Sequence, residues 1–171
     1  NYGPVNATAT ASLKVTSIDA GYVYFNGNVY AEAIGIAATS YSSIYNYSDV
    51  TATATASVTI DSQGGYYNLG MNGSLYVTSR ATGLGGAEGF AGGEGYNLFV
   101  RNDGNVTATA TSLFTSNAPY FDGGEQYIRI SSEARGIYVP YYNCCGGDAR
   151  EVVNNGTITA LALSSYTLTN P

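Results

Sequence analysis

Side chains able to do covalent or metal chemistry are scarce in this chain. It has no histidine, no tryptophan, one lysine (Lys14) and two cysteines, Cys144 and Cys145, adjacent in "YYNCCGGDAR". Without histidine, Ser-His-Asp triads and imidazole metal sites are excluded. Two carboxylate pairs, Glu88 with Glu94 and Asp122 with Glu125, have the composition of a glycosidase acid/base couple. Both lie in glycine-rich stretches, where solvated charge is the commoner role. The run "GLGGAEGFAGGEG" at 83–95 has the glycine content of a phosphate-binding loop, but Glu88 stands where the third glycine belongs and no Walker lysine follows. The expectation is a chain that is not an enzyme, with no catalytic residues and no cofactor.

Other reactive positions concern modification. Asn6, Asn46, Asn72, Asn105 and Asn155 each begin an Asn-x-Ser/Thr triplet, the acceptor for N-linked sugar. Each lies at or near the start of an expected strand, where a side chain can reach the surface. Cys144 and Cys145 either close a strained ring as a vicinal disulfide or stay free in an exposed loop. No second cysteine pair exists to complete a zinc site. "NDG" at 102–104, "DGGE" at 122–125 and "GGD" at 146–148 place oxygen donors in turns, so bound Ca2+ is a minor alternative to no metal at all.

Charged residues make up only 11% of the chain and the net charge is −6. The six basic residues (Lys14, Arg80, Arg101, Arg129, Arg135, Arg150) form no cluster, so the footprint of nucleic-acid binding is missing. No stretch has the roughly 18 consecutive apolar residues of a membrane helix. A start at Asn1 in place of Met suggests a processed chain, secreted or held at the cell surface.

These residues must be carried on strands. In "VTATATASVTI" at 50–60 every second residue is Val, Ala or Ile, and every residue between is Thr or Ser. On a helix that alternation would scatter the apolar positions; on a strand they share one face. The pattern recurs as "NYGPVNATATAS" at Asn1, "NYSDVTATATAS" at Asn46, "NDGNVTATATS" at Asn102 and "NNGTITALALSS" at Asn154. A second motif alternates with it: "VYAEAIGI" at Val29, "VTSRATGL" at Val77 and "ISSEARGI" at Ile130. Such order argues for internal duplication.

Turn signals place strands near 5–17, 22–36, 50–60, 66–82, 97–115, 126–138 and 152–168. Long amphipathic strands with one polar face suit an antiparallel β-sandwich or jelly roll. The alternative is a parallel β-solenoid in which each motif is one coil. Large residues (Tyr22, Tyr24, Phe25, Leu75, Phe99, Phe114, Ile128, Tyr138) are expected to fill the space facing the alanines.

In its repetitive all-β character the sequence resembles the surface and extracellular fibre proteins of prokaryotes, and the motif "N-x-G-x-[IV]-x-A-x-A" at Asn102 and Asn154 is similar to that of the adhesin passengers among them. Both donor-strand filament subunits and β-solenoid adhesin passengers belong to that group. The first resemblance implies a structural subunit of an extracellular filament or pilus-like fibre, a homopolymer formed by strand exchange. Residues 1–17 would be a strand donated to a neighbouring subunit through Val5, Ala7, Ala9, Ala11, Leu13 and Val15, and residues 18–171 a single all-β domain. The second implies an adhesin fragment whose tyrosine-rich stretches, "YSSIYNYS" and "YVPYYN", hold a glycan or surface. Lys14, on the polar face of the first strand, is read as a solvated charge that discourages wrong edge pairing.

Overall fold

The structure, a computed structural model, describes residues 1–17, 27–38, 42–62, 73–86, 98–117, 126–139 and 150–169. Ten strands are present among them: β1 (Val5–Ser17), β2 (Gly27–Ala38), β3 (Ser43–Asn46), β4 (Val50–Ser62), β5 (Gly73–Gly86), β6 (Leu98–Asn102), β7 (Val106–Ser116), β8 (Gln126–Tyr138), β9 (Arg150–Asn154) and β10 (Ile158–Leu168). They form three sheets: A, in the order β1-β4-β7-β10; B, β2-β5-β8; and C, β3-β6-β9. Every pairing between neighbours is parallel. Among the described residues no helix is long and apolar enough to cross a membrane.

The arrangement is solenoid-like, and it overturns the antiparallel sandwich. Each coil runs through one strand of A, one of B and one of C, and returns to A one level on. The ladder asparagines described below are separated by 45, 56 and 52 residues, which sets the coil length. The two sequence motifs are therefore successive sides of one coil, not separate coils. Alternation with a polar outer face, usual for antiparallel sheets, occurs here in a parallel sheet because sheet B alone covers the inner face of A. The expected spans 97–115 and 152–168 are each broken by a corner, "NDGN" and "NGT", into a sheet C strand and a sheet A strand.

Register is one-to-one over long distances. Val5 through Ser17 pair with Val50 through Ser62 without a bulge, and Val50 continues to Val106 and Ile158. The identity of the motif copies sets this: slipping by one residue would turn every alanine outward. Ala52, Ala54, Ala56, Ala108 and Ala110 are fully buried against Ala31, Ala33, Val77 and Ala81 of sheet B, while Leu75, Val58, Ile60 and Phe114 supply most of the bulk in the same core. Small side chains thus meet small ones over much of the interface. Of the residues expected to fill it, Leu75 and Phe114 do so, Ile128 packs at the margin, Phe99 faces outward on β6, Tyr138 lies under the Arg135 guanidinium outside this core, and Tyr22, Tyr24 and Phe25 lie outside the described residues. A second core under the corner joins Val50, Val106, Leu84, Ile44 and Val100.

The glycine shared by the second motif has a steric cause. Gly35, Gly83 and Gly136 stack in one column, and a Cβ on Gly83 would lie 2.7 Å from the Gly136 carbonyl oxygen and collide with the Val106 side chain. On Gly35 it would lie 2.6 Å from the Gly83 oxygen and meet Val50 in the same way. Each glycine makes room for the β-branched residue that opens the next sheet A strand, so the two motifs are complementary surfaces.

A polar column crosses the otherwise apolar core. Ser79 and Ser112 share a hydrogen bond at 2.8 Å, Ser112 Oγ donates to the Ser131 carbonyl at 2.6 Å, and Ser132 Oγ donates to the Leu163 carbonyl at 2.6 Å. These bonds tie sheets A and B together and satisfy hydroxyls that burial would otherwise penalise. On the outer face of B, Glu32, Arg80 and Glu133 occupy one register position. Arg80 lies 3.8 Å from Glu32 and 3.0 Å from Glu133.

Candidate binding surface at the asparagine corner

The corner between sheets C and A is built from four copies of one turn: Asn1-Tyr2-Gly3-Pro4, Asn46-Tyr47-Ser48-Asp49, Asn102-Asp103-Gly104-Asn105 and Asn154-Asn155-Gly156-Thr157. The leading asparagines form a ladder. Asn1 Nδ2 donates to Asn46 Oδ1 at 2.8 Å, Asn46 to Asn102 at 2.7 Å, and Asn102 to Asn154 at 2.7 Å. The same nitrogens of Asn46, Asn102 and Asn154 donate to the carbonyls of Ser48, Gly104 and Gly156, two residues on, at 2.6, 2.7 and 2.7 Å. A primary amide has the two donors and the acceptor this double role needs. Backbone bonds between levels continue through the corner, as from Asp103 N to Asn46 O and from Val50 N to Asn105 O. The stacked turns lie so close that a Cβ on Gly104 would come within 2.8 Å of the Ser48 nitrogen.

This rigid corner holds an outward row of rings. Tyr2 stacks on Tyr47 with centroids 5.1 Å apart and planes 12° apart. Tyr45 tilts against Phe99 at 5.4 Å, and the Arg101 guanidinium lies 6.0 Å from the Tyr47 centroid. Tyr2, Tyr45 and Tyr47 are 88%, 48% and 41% exposed. Tyr45, Phe99 and Arg101 share the outer face of sheet C because Ile44, Asn46, Val100 and Asn102 alternate with them and are buried. Arg101 Nε donates to Asp103 at 2.9 Å, and Asn155 Nδ2 donates to the same carboxylate at 2.6 Å. Donation from Asn155, with Arg101 adding its hydrogen bond and charge, holds the Asp103 carboxyl below its usual pKa against the opposing pull of desolvation. Solvent-exposed tyrosine rings beside a cation and a carboxylate are groups able to hold a sugar: its CH groups pack on aromatic surface, and its hydroxyls bond to the charged pair.

The other sequence-derived positions are dispersed. Asn6 is exposed at the start of β1 on the outer face of sheet A. Asn105 and Asn155 are exposed at the corner, and their Nδ2 atoms donate to Asp49 at 3.1 Å and to Asp103. Asn46 is fully buried with both amide hydrogens committed to the ladder, which leaves no room for a sugar on the folded chain. Asn72, Cys144, Cys145 and the carboxylates Glu88, Glu94, Asp122 and Glu125 lie outside the described residues. Among the turns considered for calcium, "NDG" is absorbed by the ladder and the Asp103 contacts, and the other two lie outside the described residues. No group of three metal-ligating side chains occurs among the described residues.

The strand considered for exchange is β1. Val5, Ala7, Ala9, Ala11, Leu13 and Val15 pair with β4 of the same chain, and Ala7, Ala9, Ala11 and Leu13 pack on the core. Lys14 is exposed on its polar face. Sequence reasoning singled out the tyrosines of "YSSIYNYS" but not Tyr2, Phe99, Arg101 or Asp103 as their companions. A usable signal existed: an asparagine four residues before each β-branched opener puts residues flanking each asparagine side by side once the coils stack. No protein-family model, no curated protein and no solved structure matches this chain.

Proposed function

We propose that the chain is a segment of an extracellular β-solenoid adhesin, in which the coil stack is a rigid carrier and the aromatic corner holds a glycan on the opposing surface. The observation that carries the reading is the row of exposed rings of Tyr2, Tyr45 and Tyr47, with half-buried Phe99 against Tyr45, beside the Arg101–Asp103 pair. Aromatic rings left in water on a rigid scaffold offer large contact area at small entropic cost. Glycan-array binding with the full chain tests it: Tyr45→Ala and Tyr47→Ala should abolish a signal that the wild type gives, with far-UV circular dichroism unchanged. Equal binding by wild type and both variants sinks the aromatic corner as the site.

The filament reading draws on a different observation. β1 and β10 are the two edges of sheet A, each bonded on one side only, and they carry copies of the same motif. Pairing of one copy's β10 with another's β1 would continue the stack and make a fibre. Electron micrographs of the purified chain separate the two: fibres of constant width favour polymerisation, and discrete particles favour the adhesin segment alone.

A further inference from the structure

We propose that the outer face of sheet A is an ice-binding surface, whose partner is the ordered water lattice of a crystal face. It lies on a different sheet from the aromatic corner, and its role is separate from glycan binding.

In-register pairing stacks Thr8, Thr53 and Thr109 in one column and Thr10, Thr55 and Thr111 in the next. Strands in a parallel sheet lie about 4.8 Å apart, and residues two apart on one strand are roughly 6.6 Å apart. Hydroxyl and methyl groups are thereby repeated at fixed intervals in two directions. The oxygens of ice likewise repeat along its crystal axes at intervals of several ångströms, so the face and the lattice share a two-dimensional periodicity. The grid is stiff, since β4 and β7 are bonded on both sides and their inward alanines are fully buried.

Charge points the same way. From Asn6 to Ser12, and at the paired positions of β4, β7 and β10, the outward residues include no charged side chain; Lys14 and Asp61 stand together towards one end of the face. An ionic group holds its own water shell against any outside lattice, whereas a β-branched hydroxyl lets the neighbouring water follow the spacing of the face. On β10 the two threonine columns end in Leu161 and Leu163, 57% and 53% exposed, so their fourth members are apolar and gain by shedding water against a solid. Parallel sheets ordinarily have both faces covered, and among the described residues no element covers the polar face of this one. Discrete ligands favour concave pockets; a periodic open face suits a periodic solid.

The test is partition of the purified full chain into a slowly grown ice crystal, read as protein in the ice fraction over protein in the liquid, together with ice-recrystallisation assays. Wild type should be enriched in the ice and slow grain growth. Thr53→Lys and Thr109→Lys, with unchanged circular dichroism, should lower the partition ratio by roughly tenfold, and Thr78→Lys on the outer face of sheet B should leave it unaltered. Thr10→Lys, exposed on the edge strand, carries the same expectation should a central lysine unfold the sheet. Exclusion of the wild type from ice overturns the proposal, as does equal partition of the lysine variants. Retention on powdered crystalline polysaccharide with exclusion from ice also overturns it, and assigns the face to a solid sugar.

Discussion

Asn46 Nδ2 donates to Asn102 Oδ1 at 2.7 Å across two coils that are 56 residues apart in sequence, and neither side chain reaches solvent. Asn102, like Asn46 before it, is engaged on both sides: it accepts from Asn46 and donates to both Asn154 and the Gly104 carbonyl. Asn102→Ala strands a buried donor and a buried acceptor, and should cost about 3 kcal/mol in urea unfolding. Asn154→Ala, at an exposed rung, should cost about 1 kcal/mol. Equal losses would contradict the ladder's role in the buried corner.

The glycine column makes a sharper contrast. Gly83→Ala places a methyl 2.7 Å from the Gly136 oxygen and against Val106, whereas among the described residues nothing lies within 4 Å of a Cβ on Gly27. The first should destabilise by about 2–3 kcal/mol through overpacking, and the second should change stability by no more than about 0.5 kcal/mol. Thermal unfolding of the two variants beside wild type checks this.

Produced in a host that attaches N-linked sugars, the folded chain should carry none at Asn46, where both amide hydrogens are used internally. Asn6, exposed on β1, is open to modification. Peptide mapping by mass spectrometry of the folded fraction gives the occupancies, and a sugar found on Asn46 there would refute the placement of its amide.

Acid should weaken the corner through Asp103. Its folded pKa is depressed, chiefly by the Asn155 amide and then by Arg101. The stabilising contribution is therefore present above the unfolded carboxylate value of about 3.9 and disappears as pH falls through the folded value. Urea midpoints measured from neutral pH down to acid should fall less steeply for Asp103→Asn than for wild type, since the amide cannot be protonated in that range.

Much of sheet A is legible in the sequence: the Ala-Thr alternation places β1, β4 and β7 and makes them equivalent. Strand direction is not, because alternation records only that one face is buried and the other wet, and Val50–Ser62 would read the same in either orientation. Sheet C escaped because Ser43–Asn46, Leu98–Asn102 and Arg150–Asn154 are too short to show a period. The ladder was hidden in plain view: asparagine at four matching positions signalled a turn, and its buried bonding emerges only when the turns are stacked. Arg101 and Asp103 likewise become partners of Tyr47 through stacking between coils, a relation absent from local sequence.

The Glu32–Arg80–Glu133 column has a bearing on how such a chain can lengthen. An asparagine rung accepts any number of identical neighbours, so the corner is indifferent to how many coils are copied. The charged column alternates in sign from level to level, and a tandem duplication of the middle coil alone would set one arginine directly against its own copy. Duplicating adjacent coils in pairs keeps the alternation. Growth of the stack is thus permissive at one corner and parity-bound on sheet B, a constraint written in the order of the coils rather than in any one of them.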